Sequence, residues 1–378
     1  MQMFETPAFV INEKILRSNL EKLKEIKDKS GCEILYATKP LIEPTVLQII
    51  DQYLDGFSTS SLFEARLVCE QVTSYKKPVI DRTRVHIVTP SLKDSEIDQI
   101  SDYAHTIVFN SITQAKRLHP LIRNAYNPGL RINPELSFVS ESRYDPCKLN
   151  SKLGATITQV KKNLDSLGHI KGVHFHNNCE GTNAHDLLST VEKITHGLKG
   201  WLVDLDWINL GGGYFLNNMD DLDPLYKAID MLQRLGLSVI MEPGGSVVGS
   251  AGEIWATVTD IFENNGQRIA IIDASTNHIP EVLEYNYKAP IAEATGGDYK
   301  FLIAGPTCLA GDEFGIYSFD KPLEIGSPLT FKNVGSYTMA KAHHFNGINI
   351  PSNNILTKEG NLFTTKEFSY QHYKSRWA

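Results

Sequence analysis

Short β-branched runs alternate with segments of helical period over the first two-thirds of the chain. The pattern predicts strands at Glu33–Ala37, Gly56–Thr59, Val85–Thr89, Ile107–Asn110, Leu130–Asn133, Gly172–His176, Trp207–Leu210 and Ser238–Met241. Helices are predicted between them at Pro44–Tyr53, Leu62–Gln71, Asp94–Tyr103, Thr113–Ile122, Ile157–Leu167, Ala184–Leu198 and Leu222–Leu235. In the second of these, Leu62, Ala65, Val68 and Cys69 recur at the spacing of one helix face. Repeated strand–helix alternation implies parallel strands joined by right-handed crossovers. Eight such strands within about 220 residues fit a (β/α)8 TIM barrel better than an open doubly wound sheet.

The rhythm changes after Gly252. Strand-like runs follow at Trp255–Ile261, Arg268–Ile272, Lys300–Ile303, Pro328–Lys332 and Phe345–Ile350, punctuated by glycine and proline. This spacing predicts a mostly antiparallel β domain. The opening Pro7–Ile11 run also reads as a strand and is expected to pair with that domain. The expected division is a barrel over residues 12–250 and a β domain over 251–378, completed by residues 1–11. A long polar loop, Glu135 to Lys152, follows the fifth barrel strand, and loops of that length are often functional.

Composition narrows the function classes. The 378 residues carry 37 Lys+Arg against 44 Asp+Glu, a formal charge of −7, with no basic block to neutralise phosphates. A nucleic-acid partner is therefore disfavoured, and small cationic partners suit the balance better. Neither a continuous apolar stretch of spanning length nor a secretory pattern in Met1–Leu16 is read, so no membrane association is expected. Five scattered cysteines show no metal or disulfide spacing, and a reducing cytoplasm is the simplest expectation.

In a barrel of this kind the active site lies at the C-terminal strand ends. Those ends carry Lys39, Ser58–Ser61, Thr89, Asn110, Arg131, His176, Gly211-Gly212-Gly213, and Glu242 in Glu242-Pro243-Gly244-Gly245-Ser246. No Asp/Glu/His cluster resembles a metal site. Lys39 reads either as a snorkelling surface lysine or as an amine that condenses with an aldehyde. The triple glycine reads as a tight turn or as a phosphate nest. His176 is a stacking residue or a core histidine, and His174 shares its strand parity. Together a lysine, a glycine nest and a carboxylate for a ring nitrogen fit pyridoxal 5'-phosphate.

At this point the chain resembles the fold-type III pyridoxal-phosphate decarboxylases, which include ornithine, arginine and diaminopimelate decarboxylases. The resemblance rests on Tyr36-Ala37-Thr38-Lys39, Leu130-Arg131-Ile132-Asn133-Pro134, His174-Phe175-His176, Gly211–Gly213, Glu242-Pro243-Gly244 and Gly305-Pro306-Thr307-Cys308. Within that group it is most similar to the branch acting on carboxynorspermidine and carboxyspermidine. The signs are Leu54-Asp55-Gly56, Tyr144-Asp145-Pro146-Cys147, His278-Ile279-Pro280-Glu281-Val282-Leu283-Glu284, Cys308–Asp312, Tyr317–Asp320 and Phe345-Asn346-Gly347. The resemblance implies an alanine racemase-like barrel with a C-terminal β domain.

It also implies roles. Lys39 would hold the cofactor, His176 stack on its ring, Glu242 bind the ring nitrogen, and Arg131 lie close by. Gly211, Gly212, Gly213, Gly244 and Tyr337 would bind the phosphate, with Cys179 near it. Cys308, otherwise a buried structural cysteine, would come from the partner of a homodimer with shared sites and help reprotonate Cα. A carboxylated polyamine substrate needs carboxylates along its tail; Asp273, Glu281, Glu284 and Asp312 are the candidates, with Asp145 or Glu180 on loops. Glu281 and Glu284 also read as a solvated or helix-capping face. Departures at Tyr214-Phe215, Gly245 and Ala37-Thr38 bear on the tail rather than on decarboxylation. The rivals are a decarboxylase of the same fold acting on ornithine, diaminopimelate or a siderophore intermediate, and a non-catalytic pyridoxal-phosphate carrier.

Overall fold

In the computed structural model, which describes residues 5–72 and 81–378, the alternating segments close into a ring of eight parallel strands. After β1 (Ala8–Asn12), which belongs to a second sheet, the barrel strands begin with β2 (Glu33–Ala37), β3 (Gly56–Thr59), β4 (Val85–Val88) and β5 (Thr106–Phe109). The ring continues through β6 (Asn127–Asn133), then, beyond the two-residue β7 (Ala155–Thr156) paired to β6, β8 (Gly172–His174), β9 (Trp207–Asn209) and β10 (Ser238–Met241). β5 pairs with β6, and β10 returns to β2 through Ile240↔Glu33 and Met241↔Ile34, which closes it.

The helices between the strands start where the sequence supplies caps. Ser61 accepts from the Glu64 amide and Ser111 from the Gln114 amide, while Thr156 and Gln159 cap each other's backbone. Each such cap satisfies an amide that the helix itself leaves without a partner. Several predicted helices prove shorter: Asp94–Tyr103 is helical only over Ile97–Tyr103, and Ile157–Leu167 only over Ile157–Lys161 before a 3-10 turn.

One indole shapes the barrel interior. Trp207, on β9, is buried, and its Nε1 donates to Asn127 Oδ1 at 2.9 Å. A Cβ built on Gly172 would lie 2.0 Å from the Trp207 ring, and one on Gly129 would lie 2.5 Å from it. These two glycines are the space the indole occupies. Gly172→Ala is expected to destabilise the protein by about 1–3 kcal/mol, the usual cost of overpacking. A urea midpoint that does not fall, or that a smaller residue at 207 fails to restore in part, would count against this packing.

Contact clustering gives two compact units, Asn19–Ser246, and residues up to Ser18 together with Val247–Ala378. The second holds a sheet of β1 with β11 (Gly252–Asn264), β12 (Gln267–Ile272), β13 (Tyr299–Ala304), β14 (Glu313–Phe319), β15 (Pro328–Phe331), β16 (Ser352–Leu356) and β17 (Leu362–Lys366). Their order is β14-β13-β12-β11-β1-β16-β17, with β15 on β11. Pairing is antiparallel except for β12–β13 and β1–β16. The predicted N-terminal strand is there, between β11 and β16; residues 1–4 of the 1–11 segment lie outside the described residues.

One expectation is corrected. Phe345–Ile350 is not a strand: Phe345–Gly347 is a 3-10 turn in which Asn346 (φ 54°) and Gly347 (φ 74°) are left-handed. Four strands escaped prediction, the two-residue β7 and, in the β unit, β14, β16 and β17. Among the described residues no helix is long and apolar enough to cross a membrane, and no three metal-ligating side chains gather.

Candidate active site

The loop after β2 is pinned from both neighbouring strands. Ala37 N donates to Pro243 O (3.1 Å) and Thr38 N to Ser58 O (2.9 Å). Glu64 Oε2 then accepts from Thr38 Oγ1 (2.9 Å) and Ser60 N (2.7 Å), so a carboxylate clamps the turn that presents Lys39. Lys39 keeps solvent-accessible surface and yet is crowded by protein, a combination found in a concave recess. Desolvation, and then the Arg131 charge, lower its pKa; Cys179, Glu242 and Glu64 oppose them. Among the described residues it makes no ion pair, which favours a reactive amine.

Glu242 ends β10 and is buried. Its Oε1 accepts from Asn209 Nδ2 at 2.7 Å, and its Oε2 lies 3.3 Å from His174 Nε2. Burial alone would raise its pKa, but His174, His86 and a Ser58 hydrogen bond outweigh burial and hold it down to about 2. Burial likewise lowers His174, so that we assign a neutral imidazole donating from Nε2, with Nδ1 left without a partner. His176, two residues on, is half-buried and accepts from Gly212 N at Nδ1 (3.1 Å). Burial, then the Lys39 and Arg131 charges, hold it well below the usual imidazole range. The two histidines that sequence parity could not separate thus have different surroundings.

The triple-glycine turn brings backbone donors to the same mouth. Gly213 has φ 83°, and a Cβ there would sit 2.0 Å from Asn178 O, so neither its conformation nor its space admits a side chain. A Cβ on Gly212 would strike Glu242 O. Among the described residues the N–H groups of Gly213 and Tyr214 have no hydrogen-bond partner. The Ser246 hydroxyl, buried just beyond Gly244, also has none. Arg131 is buried on β6 opposite His174, with burial lowering its pKa to about 10. Cys179 is exposed and within the field of Lys39.

These residues fit pyridoxal 5'-phosphate. Two cations and unpartnered N–H and O–H donors match a phosphate and a phenolic oxygen. An anionic carboxylate suits a protonated ring nitrogen, and the amine suits the aldehyde.

Neutral histidines around Glu242 set an acid limit. Burial lowers His86 to about 4, against about 6.5 for a free imidazole. The unfolded chain then takes up this proton before the folded one, so the contribution is complete above pH 6.5 and lost as pH falls toward 4. For His86 alone that is about 3 kcal/mol. The urea midpoint should fall between pH 7 and 4.5, and less so in His86→Gln; equal falls would contradict it.

The β unit carries the other predicted residues. Cys308 is exposed, and its N–H donates to Asn346 Oδ1 (2.8 Å). Tyr337 (φ 62°) caps the helix Thr338–Lys341. Asp312, expected along the substrate tail, lies in this unit. It is buried, and its carboxylate accepts from Ser275 Oγ, Thr276 N and Oγ1, and Thr307 N and Oγ1. Those bonds shape the loop bearing Cys308 and leave little capacity for an amine. Asp273 accepts from Thr6 Oγ1 and from Thr257 N, one at each oxygen. Glu281 and Glu284 both meet Lys341 Nζ, at 3.3 and 2.6 Å. Sequence reading passed over Glu64, Asn209, Ser246 and Lys341. Asn209 was legible in principle, as a polar residue ending an apolar strand two positions before the glycines.

The family described as "Pyridoxal-dependent decarboxylase, pyridoxal binding domain" matches residues 14–249. A carboxynorspermidine/carboxyspermidine decarboxylase of Campylobacter jejuni is 33% identical, over 99% of each chain. A carboxyaminopropylagmatine decarboxylase of Synechocystis is 32% identical over 98% of this chain and 95% of its own. The crystal structure of Campylobacter jejuni carboxynorspermidine decarboxylase complexed with norspermidine superposes with a TM-score of 0.88 at 30% identity, covering 99% of this chain and 100% of that one.

Proposed function

The chain belongs to the pyridoxal-dependent decarboxylases, and from that premise we propose that it decarboxylates carboxynorspermidine or carboxyspermidine to the corresponding polyamine. The observation that carries the substrate is the 33% identity over 99% of both chains with the Campylobacter jejuni enzyme of that activity. The protein is a pyridoxal-phosphate-dependent decarboxylase.

When bound, the cofactor supplies an electron sink for the pair released as the Cα–carboxylate bond breaks. The chain supplies everything around it. Lys39 Nζ, its pKa lowered by desolvation and Arg131, would hold the cofactor through its aldehyde. The Glu242 carboxylate, anionic between Asn209 and His174, keeps a proton on the ring nitrogen. The Gly213 and Tyr214 N–H groups, with the Ser246 hydroxyl, would hold the phosphate. His176, oriented by the Gly212 N–H, would stack on the ring. The proposal includes a homodimer, in the cytoplasm, in which the partner's Cys308 delivers a proton from Sγ to Cα.

The neighbouring substrate class is set by the Synechocystis relative, whose carboxyaminopropylagmatine ends in a guanidinium. Carbon dioxide release should be compared for carboxynorspermidine, carboxyspermidine, carboxyaminopropylagmatine, ornithine and meso-diaminopimelate. The expected result is a kcat/KM at least about tenfold higher for the first two, the scale of one charged contact. A preference for either amino acid would overturn the polyamine reading, and preference for the guanidinium compound would move the tail chemistry.

A further inference from the structure

We propose that Tyr214 and Asn177 act as a positioning pair for the cofactor phosphate. The Tyr214 hydroxyl, held by Asn177, fixes the amide that Tyr214 lends to the phosphate. The same contact ties that amide to Leu136, at the root of the long loop after β6. This rests on the cofactor reading above and is independent of the polyamine substrate. A backbone bridge sets one side of Tyr214. Gly181 N donates to Gly213 O and Phe215 N to Gly181 O, each at 2.8 Å, in a parallel bridge between Gly181 and Tyr214. Both bonds pass through the neighbours of Tyr214, so its own N–H faces away from Gly181 and, among the described residues, has no partner. The phenol is the second anchor: Tyr214 is buried, and its hydroxyl donates to Asn177 Oδ1 at 3.2 Å.

The direction of that bond follows from the other atoms around Asn177, which is fully buried. Asn177 Nδ2 donates to Thr190 Oγ1 at 2.7 Å and to Leu136 O at 3.1 Å. A carbonyl can only accept, and Thr190 spends its own proton on Asp186 O at 2.8 Å. Turning the amide over would set its oxygen against both of these acceptors. Oδ1 therefore faces the phenol, which donates. Burial pushes the Tyr214 phenol up, which keeps that proton in place. Three elements thus meet at one side chain: the glycine turn, the helix Ala184–Leu202 and the 135–152 loop. Asn177 also directly follows His176, whose carbonyl accepts from Cys147 Sγ at 3.7 Å, nearer the far end of the same loop. A ring that only filled core space could be phenylalanine; this one carries a hydroxyl to an amide whose two N–H groups are both committed. By linkage, a phosphate that holds the Tyr214 amide also holds Asn177 and Leu136, and the loop root holds the phosphate site in return.

Tyr214→Phe removes the hydroxyl and keeps the ring. In the full-length chain stripped of cofactor it should weaken pyridoxal 5'-phosphate binding about 2–10-fold, the scale of one neutral hydrogen bond. Binding of pyridoxal, which lacks the phosphate, should not change. In the wild type the phosphorylated form, and not pyridoxal, should slow hydrogen exchange at residues 135–139, and Tyr214→Phe should lose that protection. Asn177→Ala should do the same, and the double variant no more than either, as for groups that act as a unit. Melting temperatures guard against misfolding. Wild-type affinity and loop protection in Tyr214→Phe, equal losses for the two cofactor forms, or additive losses in the double variant would overturn the pair. Ser246→Ala tests the phosphate reading separately, and should reduce the preference for the phosphorylated form. If that preference stays whole, the phosphate assignment at Ser246 fails. A preference lowered by Tyr214→Phe would then still support the pair, and one left unchanged would overturn it too.

Discussion

Lys39→Ala is expected to lower carbon dioxide release on the order of 10³-fold or more, as when a covalent group acting within a unit is removed. Desolvation and Arg131 lower the amine's pKa, so at neutral pH more of it is the uncharged nucleophile than for a surface lysine. The clamp of Glu64 on Thr38 and Ser60 fixes where that amine emerges, and it remains in the variant. The protein should therefore fold and melt normally while its cofactor absorption changes. Mixing Lys39→Ala with Cys308→Ala subunits should restore part of the activity if sites are shared across a homodimer. Full turnover by Lys39→Ala with wild-type cofactor absorption would remove the central chemical claim.

Glu242→Gln is expected to reduce kcat by about 10²–10³-fold, the scale of losing one preorganised electrostatic partner. An amide is neutral at every working pH and cannot hold a proton on a ring nitrogen by charge. Its shape is preserved, but its hydrogen bonding is not. Asn209 Nδ2 and His174 Nε2 both donate toward the carboxylate; an NH₂ facing Asn209 sets donor against donor, and one facing His174 forces the other imidazole tautomer and leaves a buried Nδ1–H without an acceptor. The buried mismatch should also cost about 1–3 kcal/mol of stability without cofactor. Glu242→Asp should keep the charge and lose less kcat. If Glu242→Gln retained wild-type kcat, the assignment of the electron-sink partner would be wrong.

The barrel was readable because each of its strands is a short apolar run set between helical periods, and eight repeats leave few alternative topologies. The β unit resisted for identifiable reasons. In β14 a register shift opposite Ile303 and Ala304, beside Gly315 (φ 109°), breaks the alternation that would have marked a strand. β16 hides behind asparagines. Asn354 is buried because its Nδ2 donates to Ser352 O and its Oδ1 accepts from Thr364 Oγ1, a satisfaction that composition cannot reveal. The site was legible wherever a residue ends a strand. Sequence could not tell that Asp312 has its acceptors filled by neighbours, whereas Glu281 has one empty. That difference lies in hydrogen bonds from residues distant in the chain.

The position of β1 has a consequence for biosynthesis. Its buried run Phe9-Val10-Ile11 pairs with β11 and, in parallel, with β16, so the first of the described strands is completed by segments made much later. β11 is synthesised about 240 residues after β1, which at roughly 5–20 residues per second is tens of seconds. Throughout that interval the nascent chain presents an apolar edge without its mates. The ribosome-bound chain thus carries this apolar run without its partners for that time, as it carries β2 until β10 closes the barrel.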